Sequence, residues 1–299
     1  MLNKKYLASV LAIAMLAGCG SSTSAASSNG ASSDDAFDTS EDITVISRED
    51  GSGTRGAFIE LTGVESKNDA GEKVDNTTDE AQVVNSTAVV LTTVANDPYA
   101  IGYISLGALN DTVKAISVDG AEPTVDNIKS GKYTLSRPFN VATKGESDNP
   151  VVKDFMAYIM SEEGQAIVSE EGYIAIDDVK PFEGTEPEGH IVVGGSSSVS
   201  PLMEKLIEAY MKVNTKADVE IQTSDSTTGM TNTIEGSYDI GMASRELKQE
   251  ELDGGLVNTV ITTDGIAMIV NKENSVTDLS KDMIKSIYTG EVTTWADAE

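Results

Sequence analysis

Residues 43–58 read Ile43-Thr44-Val45-Ile46-Ser47-Arg48-Glu49-Asp50-Gly51-Ser52-Gly53-Thr54-Arg55-Gly56-Ala57-Phe58. The β-branched run at 43–46 predicts a strand. Asp50 to Gly53 is a glycine-rich turn. Thr54 to Leu61, with Phe58, Ile59 and Leu61 apolar, predicts a helix. A strand that passes through small residues into a helix is the repeating unit of α/β folds.

The same alternation extends outward in both directions. Ser86 to Ala95 reads as a helix and Ala100 to Ile104 as a strand. Residues 64–80 and 108–135 are weakly patterned and predict loops and short elements. Pro150 to Val168 predicts one amphipathic helix, since Val152, Phe155, Met156, Ile159, Met160, Ala166 and Ile167 recur near helical spacing. Pro150 suits its first turn and Gly172 its stop. The acidic, proline-containing stretch to Gly189 reads as a linker. A second strand–loop–helix follows, with Ile191–Val193 as the strand and Gly194–Ser198 as the turn. Ser200-Pro201 reads as an N-cap/N1 pair opening a helix to about Asn214. Further strands are expected at 219–221, 239–243, 257–261 and 265–270, and helices at 227–235 and 280–288.

Composition removes several function classes. The chain has 299 residues with 21 Lys plus Arg, 49 Asp plus Glu, one Cys, one His and one Trp. A single Cys allows no internal disulfide and no cysteine-cluster metal site. A single His excludes a poly-His centre, so no metal and no cofactor is expected. The net charge of −28, with no basic run, argues against nucleic-acid binding. The first 19 residues carry Lys4 and Lys5, then an apolar run too short to span a bilayer. They end in Leu16-Ala17-Gly18-Cys19, which resembles a bacterial lipoprotein signal. That resemblance implies cleavage after residue 18 and a lipid anchor on Cys19, which holds the protein on the extracytoplasmic face of the cell membrane. Residues 19–42, rich in Ser, Ala, Gly and Asp, read as a tether.

The chemistry gathers in three loops, Asp50–Thr54, Gly195–Ser198 and Ser224–Gly229. Each follows a strand, is built of small hydroxyl and glycine residues, and opens a helix. Helix N-termini offer unpaired N–H groups and a positive dipole end, and together with hydroxyl donors they suit an oxyanion. Arg48 adds a planar fork matched to phosphate oxygens. Asp50 suits a ligand that carries a proton, because a buried acceptor without a donor costs roughly 1–3 kcal/mol. Phosphate supplies such a proton at neutral pH and sulfate does not.

Ser47 to Phe58 resembles the signature segment of the phosphate-binding lipoproteins of ABC-type phosphate importers. Gly195-Ser196-Ser197-Ser198-Val199-Ser200-Pro201 is similar to that family's first ligand loop. Ile240 to Arg245, Asp264 to Asn271 and Ile287-Tyr288-Thr289-Gly290 through Trp295 resemble later landmarks. The resemblance implies a two-lobed α/β fold of periplasmic-binding-protein type 2, with ligand in the cleft. It implies inorganic phosphate as ligand, a membrane permease as partner and no catalysis. The contacts it carries over are Ser197 and Ser198 from the first loop, Ser226 from the second, and Arg48, Asp50, Ser52, Gly53 and Thr54 from the third. Arg245 stands at a position where family members differ, and either contacts ligand or pairs with Asp50.

The order of segments is reversed relative to that family, which implies a circular permutation with 176–189 joining the old ends. One lobe is then 43–136 plus 272–299 and the other 137–271, with crossings near Arg137–Asn140 and Ile266–Asn271. The reversed order is also compatible with a fragment of a tandem array, with a gene-boundary artefact and with halves shared in a swapped dimer. Three other functions stand beside phosphate capture: a receptor for another tetrahedral oxyanion such as arsenate, an adhesion or sensing module on the same fold, and a hydrolase using Ser52 or Ser197. The hydrolase lacks an evident base, since His190 is the only histidine and it precedes a strand.

Overall fold

The computed structural model describes Phe37–Ala298. The signal segment 1–18, Cys19 and the tether up to residue 36 lie outside the described residues. Strand β1 (Thr44–Arg48) runs through the turn into helix α1 (Gly53–Thr62). Ser52 caps that helix by accepting the Arg55 N–H at 3.3 Å. Gly63 ends it in the left-handed region at φ 76°, where a β-carbon would be strained. The weakly patterned stretches hold a β2–β3 hairpin (Glu65–Lys67, Lys73–Asp75) and the short elements described below, and β4 (Gln82–Val84) follows the first of them.

Helix α2 (Thr87–Asn96), capped by Ser86, leads into β5 (Ala100–Ser105). Then come β6 (Lys114–Ala115), β7 (Ser117–Val118), α3 (Val125–Lys129) and β8 (Ser136–Lys144). Helices α4 (Pro150–Ile159) and α5 (Glu162–Glu170) precede β9 (Gly189–Ser196) and α6 (Ser200–Val213). The chain continues through β10 (Ala217–Ser224), α7 (Ser226–Glu235), β11 (Ile240–Ala243) and α8 (Gln249–Asp253). It ends with β12 (Leu256–Val270), β13 (Asp278–Leu279) and α9 (Lys281–Tyr288).

The main sheet runs β10-β9-β11-β8-β12-β5-β1-β4, with β6 also on β12. Its two ends are parallel: β1 pairs with β4 and β5, and β9 pairs with β10 and β11. Between them β8 and β12 run antiparallel to each other and to their neighbours. Parallel strands need helical crossovers, so each end carries its own helices and builds its own core. One core centres on Phe58, Tyr103, Tyr288 and Trp295, with Phe58 stacked on Tyr103 at 4.0 Å between ring centroids. The other centres on Phe139, Phe155, Leu206 and Tyr210. Burying each such side chain contributes about 1.5–3 kcal/mol. Strand β12 serves both cores, pairing with β8 over Leu256–Gly265 and with β5 over Ile266–Val270.

The structure corrects three sequence expectations. The single helix expected over 150–168 is two helices. Ser161 breaks it: its hydroxyl donates to Tyr158 O at 2.7 Å and accepts the Gly164 N–H at 3.2 Å, restarting the chain as α5. A β-carbon on Gly164 would lie 2.2 Å from Tyr158 O, so only glycine lets the second helix begin so close to the first. The two strands expected within 257–270 are one, because backbone pairing with β8 continues through the polar stretch Thr262–Asp264, across an irregularity between Val260 and Thr262, and passes directly to β5 at Ile266. The N-cap of α6 is Val199, and Ser200 instead donates its hydroxyl to Ser196 O at 3.1 Å.

The two ends of the described chain lie side by side, so residues 37–42, expected as part of the tether, instead pack on the fold, with Phe37 against Tyr99 and Trp295. Ile43 N donates to Thr293 O at 2.7 Å, Ala296 N to Thr39 O at 2.6 Å, and Asp42 bridges Thr294. Among the described residues no helix is long and apolar enough to cross a membrane.

Candidate functional site

Arg48 ends β1 and its side chain is 3 % exposed. Its backbone N–H donates to the Tyr103 hydroxyl at 3.0 Å, and that hydroxyl also meets Ser47 Oγ at 2.9 Å. Burial pushes the Tyr103 phenol up, so the group stays protonated. The Arg48 carbonyl accepts from Arg55 Nη1 at 2.7 Å, and Arg55 is held in turn by Asp75 at 2.8 Å on the β2–β3 hairpin. The loop is therefore fixed from below by an aromatic core and from the side by an ion pair.

The three hydroxyl-rich loops meet at this arginine. Arg48 Nη2 donates to Ser197 Oγ at 3.0 Å, and Nη1 reaches Thr87 Oγ1 at 3.4 Å. Ser198 Oγ lies 2.7 Å from Thr54 Oγ1 and 3.1 Å from Thr87 Oγ1. Ser244 collects the rest: it accepts from Ser196 Oγ at 2.9 Å, and its N–H donates to Ser226 Oγ at 3.1 Å. Thr54 and Ser226 have no exposure, and Ser198 and Ser244 almost none. Thr54, Thr87, Ser198 and Ser226 lie at or just before the start of a helix, so the N-termini of α1, α2, α6 and α7 open on this cluster.

Both ends of the sheet contribute, and Gly53 shows how closely. A β-carbon there would lie 2.4 Å from Ser226 Oγ and 2.8 Å from Ser244 Oγ. Gly51 O accepts from Thr227 N and from Thr227 Oγ1, each at 3.2 Å.

The structure brings together Arg48, Gly53, Thr54, Ser197, Ser198 and Ser226 of the expected residues. Ser52 sits at their edge as the α1 cap. Two stand apart. Asp50 is exposed, and its side chain makes no hydrogen bond or ion pair among the described residues. Arg245 does not pair with Asp50. It pairs with buried Glu251 through both terminal nitrogens, at 2.7 and 2.9 Å, and reaches Thr227 Oγ1 at 3.2 Å. The carboxylate on Arg48 is Glu49, at 2.7 Å on Nε and 2.7 Å on Nη2. Thr87, Ser196 and Ser244 join the site although the sequence did not single them out. Ser196 and Ser244 each neighbour an expected residue, and Thr87 follows the cap of α2, the one of these four helix starts without a glycine-containing loop.

A second buried pair lies where β8 and β12 cross. Arg137 Nη2 meets Asp264 Oδ2 at 3.1 Å in directly opposed register. Ser105 Oγ donates to Asp264 Oδ1 at 2.9 Å. Burial pushes Asp264 up to about 6 and Arg137 down to about 10, against the attraction between them. His190, within β9, sits on Asp218 at 2.9 Å and is half exposed, with no hydrogen bond to Ser52 or Ser197. Among the described residues no group of three His, Cys, Asp or Glu is placed to hold a metal ion.

The model of the PBP superfamily domain matches residues 33–163 and 181–299. The chain belongs to the PBP superfamily. Phosphate-binding protein PstS 2 of Streptococcus agalactiae is 54 % identical to it over 297 residues, covering 99 % of this chain and 97 % of the relative. A crystal structure of a phosphate ABC transporter, phosphate-binding protein from Streptococcus pneumoniae superposes with a TM-score of 0.69. It is 40 % identical and covers 87 % of this chain and all of that one. Phosphate-binding protein PstS of Bacillus subtilis is 34 % identical over 140 residues, 46 % of this chain and 43 % of the relative. In this member of the PBP superfamily, the hydroxyl cluster and Arg48 lie where the two halves of the fold meet.

Proposed function

We propose that the protein captures inorganic phosphate outside the cytoplasm and delivers it to an ABC-type permease, without catalysing a reaction. One observation carries this reading: a buried arginine, at least six Ser and Thr hydroxyls and several helix N-termini converge from both halves. Such a site is rich in short-range donors and suits a desolvated tetrahedral oxyanion. Hydroxyls also accept, so they receive the proton of a phosphate. The relatives named as phosphate-binding proteins, similar over nearly the whole chain, support the same ligand. The net charge of −28 does not oppose it, because long-range repulsion is screened beyond about 8–10 Å at physiological salt.

The proposed ligand contacts are Arg48, Gly53, Thr54, Ser197, Ser198 and Ser226, with Thr87, Ser196 and Ser244 joining them. Residues 43–136 plus 272–299 and residues 137–271 form the two lobes, and closure between them buries the ligand. A permuted order with 176–189 as the joining segment is supported by the adjacent ends of the described chain and by the split between whole-chain and half-chain relatives. A lipid on Cys19 and a tether that ends before Phe37, which packs on Tyr99 and Trp295, keep this receptor at the membrane.

Calorimetry with phosphate and then sulfate tests the reading, with the mass in solution recorded on the same sample. Tight one-to-one phosphate binding by a monomer is expected. Arg48→Ala removes charge-assisted hydrogen bonds that contribute about 1.5–3 kcal/mol each, so affinity falls about a hundredfold or more. Unchanged affinity in that variant sinks the site.

A further inference from the structure

Arg48 carries five N–H groups on two usable edges. Glu49 takes the side edge, with Nε on Oε2 and Nη2 on Oε1. The end edge, Nη1 and the second Nη2 hydrogen, faces Thr87 and Ser197. Glu49 is itself anchored, since its backbone N–H donates to Val84 O at 3.0 Å on the edge strand β4. A carboxylate that grips a guanidinium from the side prevents it from rotating. It also cancels its charge inside a buried site, where an isolated charge acts strongly. Asp50, the acidic residue next along, is exposed and does neither.

We propose that Glu49 is the specificity-determining carboxylate of this site, acting through Arg48: it turns the end edge of the guanidinium toward the hydroxyls and leaves the pair electrically neutral. The inference rests on the phosphate reading and adds how selectivity arises. A neutral pair gives a proton-free dianion no net Coulombic advantage. Selection then depends on matching donors and acceptors, and the hydroxyls of Thr54, Thr87, Ser197 and Ser198 give a proton-bearing oxyanion an acceptor that a proton-free one cannot use. Glu49 is a positioning residue, since its carboxylate is engaged on the edge of Arg48 turned away from those hydroxyls.

Glu49→Gln leaves Arg48 uncancelled and sets an amide N–H against one of its donors. Calorimetric titration of the full chain with phosphate and with sulfate is expected to show the phosphate-to-sulfate affinity ratio falling at least about tenfold, with sulfate binding strengthened. Glu49→Asp keeps the charge and is expected to hold the ratio within about threefold of the wild type, even where both affinities drop. A purely structural role would weaken both anions together in both variants, and that result overturns the proposal. So does an unchanged ratio in Glu49→Gln. The Arg48 Nε–H resonance in ligand-free protein gives an independent measure. It is expected to be protected from solvent exchange in the wild type and to lose protection in Glu49→Gln. Wild-type protein that binds neither anion refutes the phosphate reading, and the exchange measurement then still decides whether Glu49 holds Arg48.

Discussion

Among the described residues two arginines are buried, each beside a carboxylate, and their surroundings are opposite. Arg48 stands at a strand end, where loops arrive from four helices, and it has Glu49, Ser197 and Thr87 around it. Arg137 stands within a strand and bonds only Asp264, through Nη2; its Nε and Nη1 have no partner among the described residues. Its guanidinium lies instead over the Phe139 ring, 5.4 Å from the centroid. The difference is geometric. A strand end is surrounded by loops whose hydroxyls adjust, whereas inside a sheet every neighbouring backbone group is already paired and side chains come at fixed spacing. The first setting suits recognition. The second makes a costly and rigid link between the strands that both halves share.

Breaking the two pairs should therefore differ in size. Asp264→Leu leaves the Arg137 charge buried and unpaired, so a stability loss of about 3–5 kcal/mol is expected in urea unfolding. The same change at Glu49 leaves Arg48 its bonds to Thr87 and Ser197, so a smaller loss of about 1–3 kcal/mol is expected. Equal losses would erase the contrast. Gly53→Ala forces a β-carbon onto Ser226 and Ser244, with an expected cost of about 1–3 kcal/mol and a loss of phosphate affinity read by calorimetry. Retained affinity would mean that the halves do not close as tightly as described.

Asp264 also gives the crossing a pH signature. Its carboxyl sits at about 6 in the fold because of burial, against about 3.9 in the unfolded chain. The folded state holds the proton more tightly, so this group's contribution to stability is full below about pH 4 and is lost as pH rises through about 6. Asp264→Asn cannot titrate, so the difference in unfolding free energy between wild type and variant should change across that window and be flat above it. A difference independent of pH would show that Asp264 titrates normally. At the surface, the smallest effect is expected: Asp50→Asn should leave phosphate affinity within about twofold. A tenfold loss would return Asp50 to the ligand and weaken the case for Glu49.

Much of the site was legible before any coordinates. Ser and Gly at helix starts announce exposed N–H groups through local chemistry and mark the three loops, while the family resemblance supplies Thr54, Ser197, Ser198 and Ser226 as the individual contacts. The choice between Glu49 and Asp50 was not legible. Both are acidic neighbours in one turn, and which of them folds back onto Arg48 depends on the pairing of β1 with β4, a contact more than thirty positions away in sequence. Arg245 shows a local version of this limit: its partner Glu251, six residues on in the short helix α8, turns inward while the neighbouring charges at 246, 248 and 250 stay exposed, and spacing alone does not single it out. The break at Ser161 was hidden because apolar spacing continues across it.

Local sequence determined the alternation of strands and helices, the capping residues, the hydroxyl loops and the presence of one arginine among them, because those features depend on near neighbours and on periodicity. Tertiary structure alone decided which loops share a site, which carboxylate faces which arginine, and that β12 runs unbroken from one half into the other. Those outcomes depend on sheet register and close backbone approach, which join residues such as Arg48 and Ser197, or Gly53 and Ser226, across most of the chain.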